Sequence, residues 1–459
     1  MTKIRQTCFF GLSRLIGSRV GGHYREFLDL ERATPDALRA LADRRLQDTL
    51  SRAARDIPFY SQRVAPSRDV SLADFPVLTK TDLGAYFAEL MCRDVRVQYE
   101  AGRRSGAGYS WLEVKTGGST GVPTVVIHDA AFRDRGRASR LYSQHLCGFP
   151  FGVRYFRLWG SMAEINRMAD SASHRILSRL AGEVLLNAFR MDEADIRRYV
   201  EMINRSAVRH MMAYVDAVHA MARYIRRTGS AIRPLASIMA CAGTVTPDAR
   251  ADIQAAFGAR VHNKYGSRDC ADMACECDRG RIHIYSHQVR LEVVDDHGRP
   301  APPGQVGRLL VTLLDNPSFP LIRYEIGDMA ALDSAECSCG RPFPLLDKLE
   351  GRCLEFLAST RGGYVSPLYV RHLIGVIHNP GFIRRFQMVQ ETATRYALAL
   401  EISAGLDDAA YRNSAERIRR DLLAVLGNDA DLRVSRVAEI PPSASGKFLY
   451  TINRSRPAQ

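Results

Sequence analysis

The chain has 459 residues and 51.2 kDa, with 46% hydrophobic and 25% charged residues, which excludes a disordered chain, a collagen and a disulfide-stapled miniprotein. Its formal charge of +14 comes from 64 basic and 50 acidic residues, and only six of the basic residues are lysines. The remaining 58 arginines are spread without a run of like charges, so nucleic acid is not an expected partner. No apolar stretch reaches the ~18–20 residues of a membrane helix, and Cys8–Leu12 is too short for a signal-peptide core. The expectation is a cytoplasmic protein without a membrane span.

Residues 1 to about 110 read as mainly helical. Leu38, Leu41, Leu46 and Leu50 recur at helical spacing within Pro35–Asp56, and Ile57-Pro58 stops that helix. Phe75–Leu83 reads as an extended approach followed by a Thr-capped helix. From about 111 short apolar strands alternate with helices: Thr124–Ile127 and Ser237–Ala242 as strands, Ala194–Asn204 and Ala217–Arg227 as helices. His128, Asp129 and Arg133 read as surface residues. Strands dominate 281–332, with Val289–Val294, Gly307–Leu314 and Met329–Leu332 separated by Asp-Asp-His-Gly and Pro-Pro-Gly turns. The fold class expected is α/β: a large domain of mixed sheets, divided into 1–110 and 111–350, and a small α+β domain over 351–459.

Thr116-Gly117-Gly118-Ser119-Thr120-Gly121 joins two strand-like stretches and offers many backbone N–H donors with little side-chain bulk. Such a loop can wrap a polyphosphate, although no Walker pattern follows; an ordinary Gly-rich hairpin explains it equally well. Four further motifs are weak singly: Tyr265-Gly266-Ser267-Arg268-Asp269, Leu321–Asp328, Glu350-Gly351-Arg352 and Ser445-Gly446-Lys447.

In this order, and together with Ile57-Pro58-Phe59-Tyr60, Phe75–Lys80 and Cys339-Gly340-Arg341-Pro342, these motifs resemble the adenylate-forming superfamily. The resemblance is to its phenylacetate–CoA ligase and capsular polysaccharide biosynthesis branch, and it runs from about residue 50 to 450. It implies that Thr116–Gly121 hold the phosphates of ATP, with Ser119 and Thr120 adding hydroxyls. Tyr265 would stack on adenine, Gly266 and Ser267 would leave room for the nucleotide, and Gly243 and Thr244 would form a nucleotide-contacting turn. Asp328 and Arg352 would meet the ribose, Asp269 would bind Mg²⁺, and Lys447 would reach the α-phosphate during adenylation. Two departures stand out: Val122 where relatives often have lysine, and Asp269 where they usually have the longer glutamate.

The same resemblance places an acid near Trp159, Tyr214, Ala240, Ala242 and His262, whose aromatics suit a flat or aryl acid, though such rings are often plain core. It implies an AMP-forming acid–thiol ligase using ATP, Mg²⁺ and coenzyme A. A second reading sends the acyl group to an amine, a hydroxyl or a carrier-protein thiol, and a third is a non-catalytic homologue. The oligomeric state stays open, a dimer included. Of ten cysteines, five cluster. Cys277, His283, Cys337 and Cys339 would supply a Cys₃His zinc set of the kind seen in some members of the branch, with Cys275 as the substitute ligand. The alternative is buried cysteines with no metal.

Overall fold

The computed structural model describes residues 2–65, 70–103, 105–106, 109–115, 125–159, 180–188, 191, 193–352, 357–361, 364–365, 370, 373–378, 382–403, 407–427, 429–441 and 449–455. The chain opens with α1 (Thr2–Leu15), α2 (Val20–Leu30), α3 (Pro35–Asp56), α4 (Pro58–Ser61), α5 (Lys80–Ala85) and α6 (Arg93–Glu100). The long third helix starts where expected: the Thr34 side chain accepts from the Ala37 N–H at 3.2 Å, and Pro35 takes the first turn, where its missing N–H costs nothing. Thr79 caps α5 in a reciprocal box with Asp82.

A three-stranded sheet follows, from β1 (Ser105–Gly106), β2 (Tyr109–Lys115) and β3 (Val125–Asp129), leading into α7 (Ala130–Leu146). Then come β4 (Tyr155–Trp159), β5 (Glu183–Asn187), α8 (Glu193–Arg205), β6 (His210–Tyr214), α9 (Val215–Thr228), β7 (Ser237–Cys241), α10 (Pro247–Phe257) and β8 (Arg260–Ser267). An antiparallel run continues with β9 (Ala271–Glu276), β10 (Ile282–Ile284), β11 (Val289–Val294), β12 (Gly307–Leu313), β13 (Tyr324–Asp333) and β14 (Leu345–Arg352). Among the described residues these strands form one sheet in the order β11-β12-β13-β14-β10-β9-β8-β7-β6-β4-β5.

Strand β8 is the seam of that sheet. It runs parallel to β7 and antiparallel to β9. On its parallel side every residue of β7 is buried, as expected for strands covered on both faces. One face packs Ile238 and Ala240 against helices α8–α10. The other packs Met212, Met239 and Cys275 against α2 and α7. The antiparallel side shares a core with α3–α6 and β3, so residues before 110 and after 265 fold as one unit.

The C-terminal part adds β15 (Leu357–Ala358), β16 (Tyr364–Val365), β17 (Ile383–Gln390), β18 (Arg395–Ile402), α11 (Asp408–Leu426), β19 (Asp431–Val437) and β20 (Thr451–Asn453). Its four-stranded sheet, ordered β19-β18-β17-β20, has its own core around Met388, Leu398, Ile418 and Leu422. A large mixed α/β domain and a small α+β C-terminal domain is therefore the architecture. No described helix is long and apolar enough to cross a membrane.

Candidate nucleotide, acid and metal sites

Three residues expected at a nucleotide converge where β8 approaches β13 and β14. The Tyr265 hydroxyl donates to Asp328 Oδ2 at 2.8 Å, and Asp328 pairs with Arg352 across the β13–β14 ladder. Burial, reinforced by the Asp328 carboxylate, pushes the Tyr265 phenol well above its ordinary value, so it stays a donor. Gly266 cannot be replaced: a Cβ there would lie 2.5 Å from the Ala271 carbonyl and 2.9 Å from Asp272 Cα, at a bulge in the β8–β9 ladder. Gly327, with φ +88°, stands beside Asp328, and a Cβ built there would lie 3.3 Å from Lys80 Nζ. Lys80 is held there because Leu78 bonds both ways to the start of β13, its N–H to the Arg323 carbonyl at 3.1 Å and its carbonyl to the Glu325 N–H at 2.9 Å.

Asp269 lies in the next turn, buried, with Oδ2 accepting from the Tyr324 hydroxyl at 2.8 Å. His128 Nε2 lies 3.0 Å from the Asp269 carbonyl, and burial lowers the imidazole's pKa. The surface reading of His128 and Asp129 is thus corrected: both are buried, and Asp129 caps α7 by accepting from the Phe132 N–H at 2.8 Å. Carboxylate oxygen is the right donor type for Mg²⁺, so Asp269 fits that ion chemically, with one oxygen already shared with Tyr324. Ser267 turns its hydroxyl inward, accepting from the Cys270 N–H at 3.0 Å. Thr116–Gly121, with Thr120 among them, and Val122 and Lys447 lie outside the described residues.

At the carboxyl ends of the parallel strands, Trp159 and Tyr214 pack with ring centroids 4.1 Å apart, on neighbouring strands β4 and β6 where the strand order reverses. Open α/β sheets bind ligands at such points. Ala242 leaves β7 with φ +58°, a strained conformation for a residue with a Cβ, followed by Gly243 and Thr244. Ala240 and His262 do not join this wall together. Ala240 is sealed in the core against α8–α10, whereas His262 pairs with Met239, faces the other side of the sheet and rests Nδ1 3.2 Å from the Glu276 carbonyl. Strand alternation separates them.

The Cys₃His set does come together. Cys277 Sγ lies 3.8 Å from Cys337 Sγ, Cys339 Sγ lies 3.3 Å from His283 Nε2, and all four donor atoms fall within 4.8 Å of one another. Tetrahedral zinc with Zn–S of about 2.3 Å holds its sulfurs ~3.8 Å apart, so the spacing fits the ion. His283 Nδ1 is 3.2 Å from the Phe343 carbonyl, which turns Nε2 toward the sulfurs, and burial pushes the imidazole down to about 4, leaving it neutral. Cys275 is not a member. It sits two residues earlier, ~7 Å along an extended strand, and its sulfur faces Cys147 Sγ on α7 at 3.6 Å.

Residues 357–454 match the CapK C-terminal domain family. Protein CapK of Staphylococcus aureus is 25% identical over 345 residues, 74% of each chain. The phenylacetate-coenzyme A ligase of Thermus thermophilus is 32% identical over 162 residues, about a third of each chain (34% and 36%). A 2-hydroxyisobutyryl-CoA ligase solved in the postadenylation state superimposes with a TM-score of 0.66 at 19% identity, over 92% of this chain and 90% of that one. The chain resembles the adenylate-forming superfamily in these sequence likenesses and shares the fold of the 2-hydroxyisobutyryl-CoA ligase. The amide bond synthetase McbA of Marinactinospora thermotolerans shares the superfamily's fold at a TM-score of 0.50 and 17% identity, covering 74% of this chain and 67% of its own.

Within this adenylate-forming fold, sequence reasoning passed over four residues: Lys80, Lys264, Asp272 and Tyr324. The scarcity of lysine was a signal for the first two, since Lys80 follows a capping threonine and Lys264 directly precedes Tyr265. Asp272 and Tyr324 carried none; only the β8–β9 and β13 register places them at the site.

Proposed function

We propose that this protein activates a carboxylic acid with ATP, forming an acyl-adenylate and pyrophosphate, and passes the acyl group to coenzyme A. The observation that supports it best is the meeting of Tyr265, Asp328 and Arg352, residues far apart in sequence, at one strand edge. In this reading Thr116–Gly121 and Thr120 in particular cradle the phosphates, Tyr265 and Gly266 border the base, and Asp328 with Arg352 holds the ribose. Asp269 holds Mg²⁺, which supplies charge neutralisation between phosphate oxygens. Lys447, on a C-terminal lid of residues 351–459, brings a compact positive charge to the point where carboxylate and phosphate repel. Holding the two reactants together can contribute up to ~7–11 kcal/mol. Trp159 and Tyr214 border an acid that is flat or aryl, and the enzyme works in the cytoplasm.

A second reading for the last step, in which an amine, hydroxyl or carrier-protein thiol takes the acyl group, draws on the amide bond synthetase among the proteins of similar fold. A pyrophosphate-release screen over carboxylic acids, with and without coenzyme A, separates the two: the coenzyme A thioester forms only in the first. Lys447→Ala is expected to abolish acid-dependent ATP–pyrophosphate exchange; exchange at an unchanged rate would overturn the adenylation role. For the metal, Cys277, His283, Cys337 and Cys339 hold a structural zinc in this proposal. Less than a tenth of an equivalent in purified protein would remove it.

A further inference from the structure

Resting on the adenylation reading, we propose that the acid bears a second polar group, a hydroxyl or amino donor remote from its carboxylate, which Asp272 accepts while Lys264 holds Asp272 in place. The two residues form an ion pair directly beneath the β8–β9 bulge. Lys264 adjoins Tyr265 in sequence, but strand alternation turns it to the opposite face, toward Cys241 and Cys147, with which it interacts electrostatically. That face carries one row of side chains across the carboxyl ends of the parallel strands: Trp159, Tyr214, Cys241, Lys264. A ligand at the strand-order reversal beside Trp159 and Tyr214 would find Lys264 two strands from Tyr214 along this row, with Asp272 paired to it from β9.

Both side chains are about nine-tenths buried, at 10% and 11% exposure. Burial opposes charge on Lys264, and the Asp272 carboxylate outweighs it, holding the ammonium above its ordinary value. One carboxylate oxygen is used by that ion pair. The other, Asp272 Oδ2, is buried with no hydrogen-bond partner among the described residues. A buried carboxylate oxygen without a donor is costly, and a donor on the substrate removes the cost. A site built to hydrogen-bond a substrate group rejects the analogue lacking it far more strongly than an apolar pocket discriminates by size.

The test is ATP–pyrophosphate exchange by the full chain on matched acids: 3-hydroxybenzoate and 3-aminobenzoate against 3-methylbenzoate, and 4-hydroxybutanoate and 4-aminobutanoate against pentanoate. The donor-bearing member of at least one set is expected to show a kcat/KM at least tenfold above its methyl partner. In the double variant Lys264→Met/Asp272→Leu, which keeps volume and leaves no lone buried charge, that preference should fall below threefold or invert, with the thermal midpoint within a few degrees of wild type. Higher kcat/KM for the methyl partners in the wild type would overturn the inference and leave adenylation standing. An equal loss on both members of a set in the variant would also overturn it, marking the pair as structural. No exchange with any acid would overturn the adenylation reading itself.

Discussion

The Cys₃His cluster and the nucleotide edge are built in different ways. The cluster draws its four donors from two turns and one short strand that a ladder locks in register: Ile282 pairs with Leu346 and His283 with Leu345, close to Cys337 and Cys339. Its four donor atoms lie within 4.8 Å of one another. The proposed nucleotide edge instead draws on Tyr265, Asp269, Tyr324, Asp328 and Arg352 from three strands and a turn, with Tyr265 bonded to Asp328, Tyr324 to Asp269, and Arg352 opposite Asp328 in the ladder. On the function proposed above, one region would hold the fold and the other a transient ligand. Stability and turnover should therefore fail separately.

Breaking the cluster gives the largest effect. Cys337→Ser should lower the unfolding free energy by at least ~3 kcal/mol, a fraction of the ~10–16 kcal/mol that zinc supplies to small zinc-dependent folds. Denaturant titration with metal analysis measures it, and exchange activity per folded molecule should be retained. Gly266→Ala attacks the edge: the added methyl collides with backbone, costing about 1–3 kcal/mol and cutting acid-dependent exchange more than tenfold. Equal activity in that variant would dissolve the distinction between the regions. Tyr324→Phe removes one hydrogen bond to Asp269, worth about 1 kcal/mol, and should raise the Mg²⁺ concentration for half-maximal exchange severalfold.

The gentlest probe is Glu31→Gln, which bears on how α2 is fastened beside the cluster. Glu31 accepts from Tyr142 Oη at 3.1 Å and meets Arg341 Nε at 3.2 Å and His145 Nε2 at 3.4 Å. Burial works against its ionisation, yet His145 and Arg341 outweigh it and hold the carboxyl down at about 2, against an ordinary 4.5. A lowered carboxyl stabilises the fold above its unfolded value and loses that contribution as pH falls toward its folded one. The stability of the Gln variant should thus be flatter between pH 4.5 and about 2 than that of the wild type, as read by unfolding at a series of pH values.

How much of this was legible in the sequence depended on whether neighbours along the chain or across the sheet decide. Pro35–Asp56 was readable to the residue, because leucine spacing, a capping threonine and a following Ile-Pro all act locally. Helix α7 was not, since its buried face includes Asp134, Ser139, Ser143 and Gln144, which blur the apolar stripe. Asp134 is tied there by Ser18 Oγ at 2.8 Å and the Arg19 N–H at 2.7 Å, partners more than a hundred residues away. The Cys₃His donors were legible as two cysteine clusters with a nearby histidine, but the exclusion of Cys275 needed the point where β9 ends and the chain turns, with the Gly280 N–H bonding the Cys277 carbonyl at 3.1 Å. In the same way Ala240 and His262 looked like neighbours and proved to be on opposite faces.

Because β8 presents Lys264 to one face and Tyr265 to the other, the segment 260–267 has a parity. Swapping one side chain there alters a single surface. Inserting or deleting one residue would carry the phenol to the side of the ammonium and the ammonium to the side of the phenol, breaking the Tyr265–Asp328 bond and the Lys264–Asp272 pair in one event. Length, more than identity, is what this strand has to preserve.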